Sequence, residues 1–196
     1  MKVLLTLILS LFFLQSNGQQ YSKNWKDINY AGDTTVSHRL DIYLPLSEQS
    51  SYPVVMAICG SAWFGNNTKD EAFRIMAKPL LDAGFAVVTV NHRSSRQAIF
   101  PAQINDIKAA VRFVRANAEK YQLNPSFIGI TGFSSGGHLS ALAGTSGAIG
   151  KHTVKTAEAD LEGNIGSYKK HSSSVDAVVD FFGPTNFLIM DSCAGG

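Results

Sequence analysis

The sequence predicts an α/β protein built on a mostly parallel sheet with helices on both faces. Three observations lead there. Short runs of apolar, largely β-branched residues alternate with helical segments of about 10 to 15 residues; several runs are apolar at every position; and a Gly-x-Ser-x-Gly pentamer stands where one run hands over to a helix. Such alternation demands right-handed strand–helix–strand crossovers. Strands covered on both faces also lose the polar alternation of a half-solvated sheet.

The first eighteen residues stand apart from this pattern. Met1 and Lys2 make a short basic start, Val3 to Leu14 an apolar run, and Ser16-Asn17-Gly18 a cleavage region of small residues. This is the build of a signal peptide over residues 1–18, which leaves residues 19–196 as the folded domain and predicts a secreted or periplasmic protein. The apolar run is shorter than the roughly 20 residues that span a bilayer, so stable membrane insertion is not expected.

Residues 21–46 alternate and turn like a pair of edge strands, with His38 to Leu44 apolar at every second position and Pro45 ending the run. Pro53 to Ile58 is a continuous apolar strand broken by Gly60. A helix is predicted from Lys69 to Ala83, closed by Gly84, and a second buried strand from Phe85 to Val90. Ile104, Ile107, Val111, Val114 and Ala118 then recur at helical spacing on one face, with Lys108, Arg112 and Arg115 elsewhere, until Asn124-Pro125. Phe127 to Thr131 is a third buried strand, Ser135 to Ala143 the next helix, and Val175 to Phe182 a fourth buried strand stopped by Gly183-Pro184. Between them, residues 145–174 are polar and rich in Gly and Ser, with one short helical possibility near Val154 to Leu161. A loop of that length is usually functional or mobile.

Charge and cysteine content narrow the partners. Lys and Arg total 17 against 15 Asp and Glu, and removing the leader removes Lys2, which leaves 16 against 15 and a net charge of +1. No nucleic-acid footprint follows. The densest basic cluster, Lys169-Lys170-His171, reads as a solvated loop. Cys59 and Cys193 match no metal-ligand spacing; in an exported chain they either pair or stand as two small core residues. Neither a metal nor an organic cofactor is implied, and the sequence carries no signal for oligomeric state.

The pentamer Gly132-Phe133-Ser134-Ser135-Gly136 carries the chemistry. A β-branched strand precedes it and a helix follows, the context of a nucleophile elbow. Its glycines permit a tight strained turn that projects Ser134 Oγ above the carboxyl edge of the sheet, so Ser134 is the candidate nucleophile. An acyl-transferring serine needs N–H donors where the carbonyl oxygen becomes negative. The backbone amide of Ser135 is one. Ser61 and Ala62, in the small-residue loop after the first buried strand, are the others, and Trp63 beside them is assigned to substrate binding. An ordinary glycine turn with a packing tryptophan is the alternative.

The runs GSAWFG, FPAQINDIKAAVRFVRANAEKYQLNP, IGITGFSSGGHLSAL and VVDFFGPTNF resemble the α/β-hydrolase esterases related to bacterial acetyl and feruloyl esterases and to the HGGG-type lipases. The resemblance runs from Trp25 to Asp191. It implies the α/β-hydrolase fold and a serine carboxylic-ester hydrolase forming an acyl-enzyme on Ser134. It also implies a small-molecule or polysaccharide ester substrate, with acetyl or feruloyl groups on carbohydrate. A peptidase or arylformamidase on the same fold, or an inactive fragment lacking the triad aspartate and histidine, are the other readings, and residues 1–196 by themselves are expected to be inactive.

Two departures stand out. Cys59-Gly60-Ser61 replaces the family's His-Gly-Gly, and the family's acid and histidine follow the serine on loops after two later strands, which the resemblance places beyond residue 196, making these residues the N-terminal two-thirds of such a domain. Of the residues in hand, His138 reads as a packing residue one turn after Ser134. His171 precedes the fourth strand at the opposite sheet edge, and His152 falls in the long polar segment. His92 is at the correct edge but after the wrong strand. Asp180 is expected buried in mid-strand, and Asp191 is a conceivable acid on the carboxyl-side loop.

Overall fold

The computed structural model describes residues 20–147, 151–154 and 157–190; the leader assigned to residues 1–18, Asp191, Cys193 and the His152 side chain lie outside them. Six strands form one sheet: β1 (Lys23–Asn29), β2 (Arg39–Leu44), β3 (Tyr52–Ile58), β4 (Ala86–Val90), β5 (Leu123–Phe133) and β8 (Ala177–Phe181), in the spatial order β1-β2-β4-β3-β5-β8. β1 and β2 are antiparallel to their neighbours, and the remaining strands run parallel. β6 (Lys151–Val154) and β7 (Ala157–Asp160) form a separate hairpin.

Both faces are covered by helices, as the apolar runs require. On one face, α3 (Ala102–Ala116) and α4 (Ser135–Thr145) pack Ile104, Ile107, Val111, Val114, Leu139 and Ala143 onto Val54, Met56, Ile58, Val88, Ile128 and Ile130. Each fully buried aliphatic side chain there contributes about 1.5–3 kcal/mol. The alternate strand residues Tyr43, Ala57, Cys59 and Val87 face Ala72, Met76, Ala77 and Leu81 of the helix before β4.

Four elements differ from the sequence expectation. Only β1 is an edge; β2 lies inside the sheet between β1 and β4. The helix expected over 69–83 is broken into α1 (Lys69–Ala72), a π-helical turn over Phe73–Ala77, and α2 (Lys78–Asp82). Pro79 has no N–H to donate to Ile75, and the wider turn absorbs that loss. The possible helix near Val154 to Leu161 is instead the β6–β7 hairpin. Finally, among the described residues β8 forms the other edge of the sheet: Val179 and Phe181 are each 50% exposed. Beside it an apolar trough of about 800 Å³ runs between α2 and β5, lined by Ile75, Leu80, Phe85, Phe127, Val179 and Phe181 among others.

The segment that follows the hairpin is ordered by α3. Asn105 Nδ2 donates to the Asp160 carbonyl, Arg112 to the carbonyls of Glu162 and Ile165, and Arg115 to those of Ser172 and Ser174. Lys108 and Arg112, placed off the apolar face by their spacing, are nonetheless buried, because Glu162 of this segment meets both.

Candidate active site

β5 ends at the carboxyl edge of the sheet and α4 begins two residues later, with Ser134 between them at φ 53°, ψ −127°. A non-glycine residue rarely adopts that conformation, and it persists only where the surroundings impose it. Here they do. The Ser134 N–H donates to the Phe181 carbonyl at 3.0 Å, and its own carbonyl accepts the first helical bond from His138 at 3.0 Å. A Cβ on Gly132 would lie 2.4 Å from the Gly136 carbonyl oxygen, and one on Gly136 would lie 2.2 Å from that of Ile58. Only glycine lets the strand, the turn and the helix approach so closely. Ser134 is half-buried, while Ser135 behind it is buried.

The loop after β3 is fastened to this elbow. A Cβ on Gly60 would meet the Phe133 carbonyl oxygen at 2.5 Å and Ser134 Cβ at 2.8 Å. The Ser61 amide, assigned by sequence to the oxyanion hole, donates to Ser135 Oγ at 2.8 Å, so here it is a strut between the loop and α4. Ser61 also closes its own turn, its carbonyl accepting from Phe64 N–H at 2.9 Å and its hydroxyl from Gly65 N–H at 3.1 Å. Ala62 and Trp63 follow with φ of 49° and 60°, two left-handed non-glycine residues in succession. Strain of this kind concentrates at functional sites. Among the described residues the Ala62 amide meets no protein acceptor, and the Ser135 amide opens α4, where the helix itself offers none.

Trp63 forms one wall, its ring 5.4 Å from that of His138 and 5.8 Å from that of Phe187. The loop after β8 closes over α4 from the other side: Gly183 N–H donates to Asp180 Oδ1 at 2.8 Å, and Phe187 stacks edge-on against His138 at 5.0 Å. Asp180, expected buried in mid-strand, is half-buried and serves as the acceptor that shapes this loop. Its bonded oxygen lies where a Cβ on Gly137 would fall.

None of the histidines with described side chains bonds Ser134 Oγ. His138 Nδ1 is buried without a partner, and burial lowers its pKa despite the nearby Asp180 carboxylate. His92 is buried with Nδ1 2.8 Å from the Arg93 carbonyl, and burial lowers it too. His38 bonds Asp33 through Nδ1 at 2.6 Å and faces Asp106 through Nε2 at 3.3 Å. His171 is exposed ahead of β8, away from the elbow.

Cys59 occupies the place of the family's loop histidine. Among the described residues its thiol has no disulfide partner; it is buried, lies 3.4 Å from the Gly60 carbonyl, and, as a thiol, is pushed up to about 11 by burial. Lys169 and Lys170 are exposed, as expected of a solvated loop. Among the described residues no group of three or more His, Cys, Asp or Glu is placed to hold a metal ion, and no helix is long and apolar enough to cross a membrane.

Sequence reasoning missed the loop after β8. The signal was Gly183-Pro184 followed by an aromatic, which was read only as a strand stop. It also missed the buried set at the carboxyl edge in which Asp106 accepts from the Arg93 guanidinium at 2.7 Å and from the Arg93 N–H at 2.8 Å.

A strained serine at a strand–helix elbow, at the carboxyl edge of a mixed sheet of this order, defines an α/β-hydrolase. Within that class the chain belongs to the BD-FAE family, whose model matches residues 40–195. Among solved structures it is similar to a truncated carbohydrate esterase from gut microbiota, with 53% identity and a TM-score of 0.88 over 90% of this chain and 62% of that one. A bifunctional GH43-CE protein of Bacteroides eggerthii matches at 59% identity and a TM-score of 0.85, over 87% of this chain and 22% of the other. Esterase LipQ of Mycobacterium tuberculosis is 33% identical over 141 residues, 71% of this chain and 33% of LipQ. The chain thus spans about a third of that curated relative's length.

Proposed function

We propose that this protein is a secreted serine carboxylic-ester hydrolase that removes acyl groups, acetyl or feruloyl, from carbohydrate. Ser134 Oγ attacks the ester carbonyl, the bond from the acyl carbon to the sugar oxygen breaks and that oxygen leaves as a hydroxyl with the proton Ser134 gives up; water then adds to acyl-Ser134, releasing the acid and restoring the serine hydroxyl. The amides of Ala62 and Ser135 hold the oxyanion, while Ser61, through Ser135 Oγ, sets the spacing between them. Trp63 and Phe187 flank the ester. The observation that carries the reading is the imposed φ of 53° at Ser134, held by the Phe181 carbonyl on one side and three glycines on the other. The carbohydrate esterases among the structural relatives support the substrate class.

The test is release of acetate and ferulate from acylated xylo-oligosaccharides by the protein and by Ser134→Ala, with intact-mass detection of a fluorophosphonate adduct. Release and labelling that both vanish in Ser134→Ala support the reading. A variant that keeps the parent rate overturns it. Export is checked separately by the N-terminus of protein recovered outside the cytoplasm, expected at Gln19.

A further inference from the structure

Arg96 is the exception among the six arginines of the sequence. Arg39, Arg74, Arg93 and Arg112 each face a carboxylate, and Arg115 is taken up by backbone carbonyls. Arg96 has neither. Its guanidinium lies over the Phe64 ring, 5.2 Å from the centroid, and both side chains are exposed, Phe64 by 58%.

The pair is fixed to the oxyanion loop from both ends. Phe64 closes the turn that begins at Ser61, and Ser95, the residue before Arg96, donates its N–H to the Trp63 carbonyl at 2.8 Å. Ser61 in turn is tied to Ser135 Oγ. The guanidinium, carried by the loop after β4, therefore stands against the loop whose Ser61 is tied to α4 beside Ser134. The segment that follows exposes Ile99 by 83% and Phe100 by 53%.

We propose that Arg96, held by Phe64, is a subsite for a carboxylate on the saccharide side of the ester, so that the preferred substrates are acyl esters on uronate-bearing glycans. The inference rests on the carbohydrate ester reading above and extends it to the alcohol side. A guanidinium presents a planar fork of donors that fits a carboxylate in two parallel hydrogen bonds. Stacking on Phe64 removes part of the rotamer freedom that otherwise erodes exposed ion pairs. Phe64 is a positioning residue here, and Arg96 makes the contact.

The experiment is isothermal titration of the protein with a xylo-oligosaccharide carrying one glucuronate branch, and with the same molecule after reduction of that carboxyl to the alcohol. Neither probe carries an ester, so binding is read without turnover. The acid form is expected to bind about three- to fivefold more tightly at low salt, which is the range of a well-ordered exposed ion pair. The advantage should shrink as salt rises, vanish in Arg96→Gln, and fall in Phe64→Leu, which keeps the charge and removes the ring. Equal binding of the twin probes, no binding of either, or an advantage that survives Arg96→Gln overturns the subsite. Fluorophosphonate labelling of Ser134 is scored in parallel. Label without acid preference overturns the subsite and leaves the esterase reading, and acid preference without label does the reverse.

Discussion

Gly136→Ala sets local helix preference against the geometry of the elbow. Within a helix, alanine ordinarily stabilises by about 0.5–1 kcal/mol relative to glycine. At Gly136 the added methyl would sit 2.2 Å from the Ile58 carbonyl oxygen, 2.8 Å from the Ile58 carbonyl carbon and 3.0 Å from that of Cys59. All three are backbone atoms of β3 or the residue after it, and Ile58 is paired with Gly132 in the sheet. Restoring a contact of 3.4 Å requires the first turn of α4 to retreat by 3.4 − 2.2, about 1.2 Å. Forced overpacking of this kind costs about 1–3 kcal/mol, so the variant should be less stable by that order despite its better helix former. The retreat also carries the Ser135 amide away from the oxyanion position proposed for it, and a displacement near 1 Å can cost about a hundredfold in rate. Urea titration and the rate of fluorophosphonate labelling read the two effects. Gly129→Ala is the control: its nearest heavy atoms lie at 3.6 Å, an ordinary contact, and it should leave both quantities near the parent values. Parent-like stability and labelling in Gly136→Ala, or equal damage from Gly129→Ala, would refute the steric argument.

Other perturbations test the structure around the site. Asp106→Asn removes the carboxylate that Arg93 and His38 share; with Arg93 24% exposed, the loss should be about 2–4 kcal/mol in urea titrations. Burial alone would lower the His38 pKa, but Asp106 and Asp33 outweigh it and raise it above 6.5. The stability His38 contributes is therefore complete below pH 6.5 and lost as pH climbs through the raised folded value. His38→Gln should flatten that alkaline slope, and an unchanged slope would assign it to another group. Arg115→Ala frees the carbonyls of Ser172 and Ser174, so hydrogen exchange should accelerate across residues 172–174 while α4 stays protected.

The parts legible in the sequence were those governed by local rules. The continuous apolar runs of β3 and β4 reported burial on both faces, the 3-4-3-4 spacing from Ile104 reported the inner face of α3, and two glycines around Ser134 reported the elbow. What escaped depended on partners distant in the chain. Lys108 and Arg112 look like solvent-facing residues until Glu162, some fifty residues on, arrives to meet them. The β8 run is apolar enough for a central strand, and composition cannot say whether a neighbour stands on its outer side. The helix before β4 has ordinary amphipathic spacing, and only Pro79 hinted at the π turn. In the site, Ser61 lies on the loop after β3, and the acceptor its amide faces, Ser135 Oγ, lies 74 residues away.

The clamp between α3 and residues 160–174 changes what a long polar loop means in this protein. Surface loops usually tolerate shortening and exchange because little is buried beneath them. Here the ammonium of Lys108 and the guanidinium of Arg112, almost wholly removed from water, share one carboxylate, Glu162, which the loop supplies. A loop graft that omitted an acid at that point would leave two cations facing each other inside the molecule. A designer seeking to trim the protein would therefore have to treat a Gly- and Ser-rich stretch as core, and change α3 in the same step.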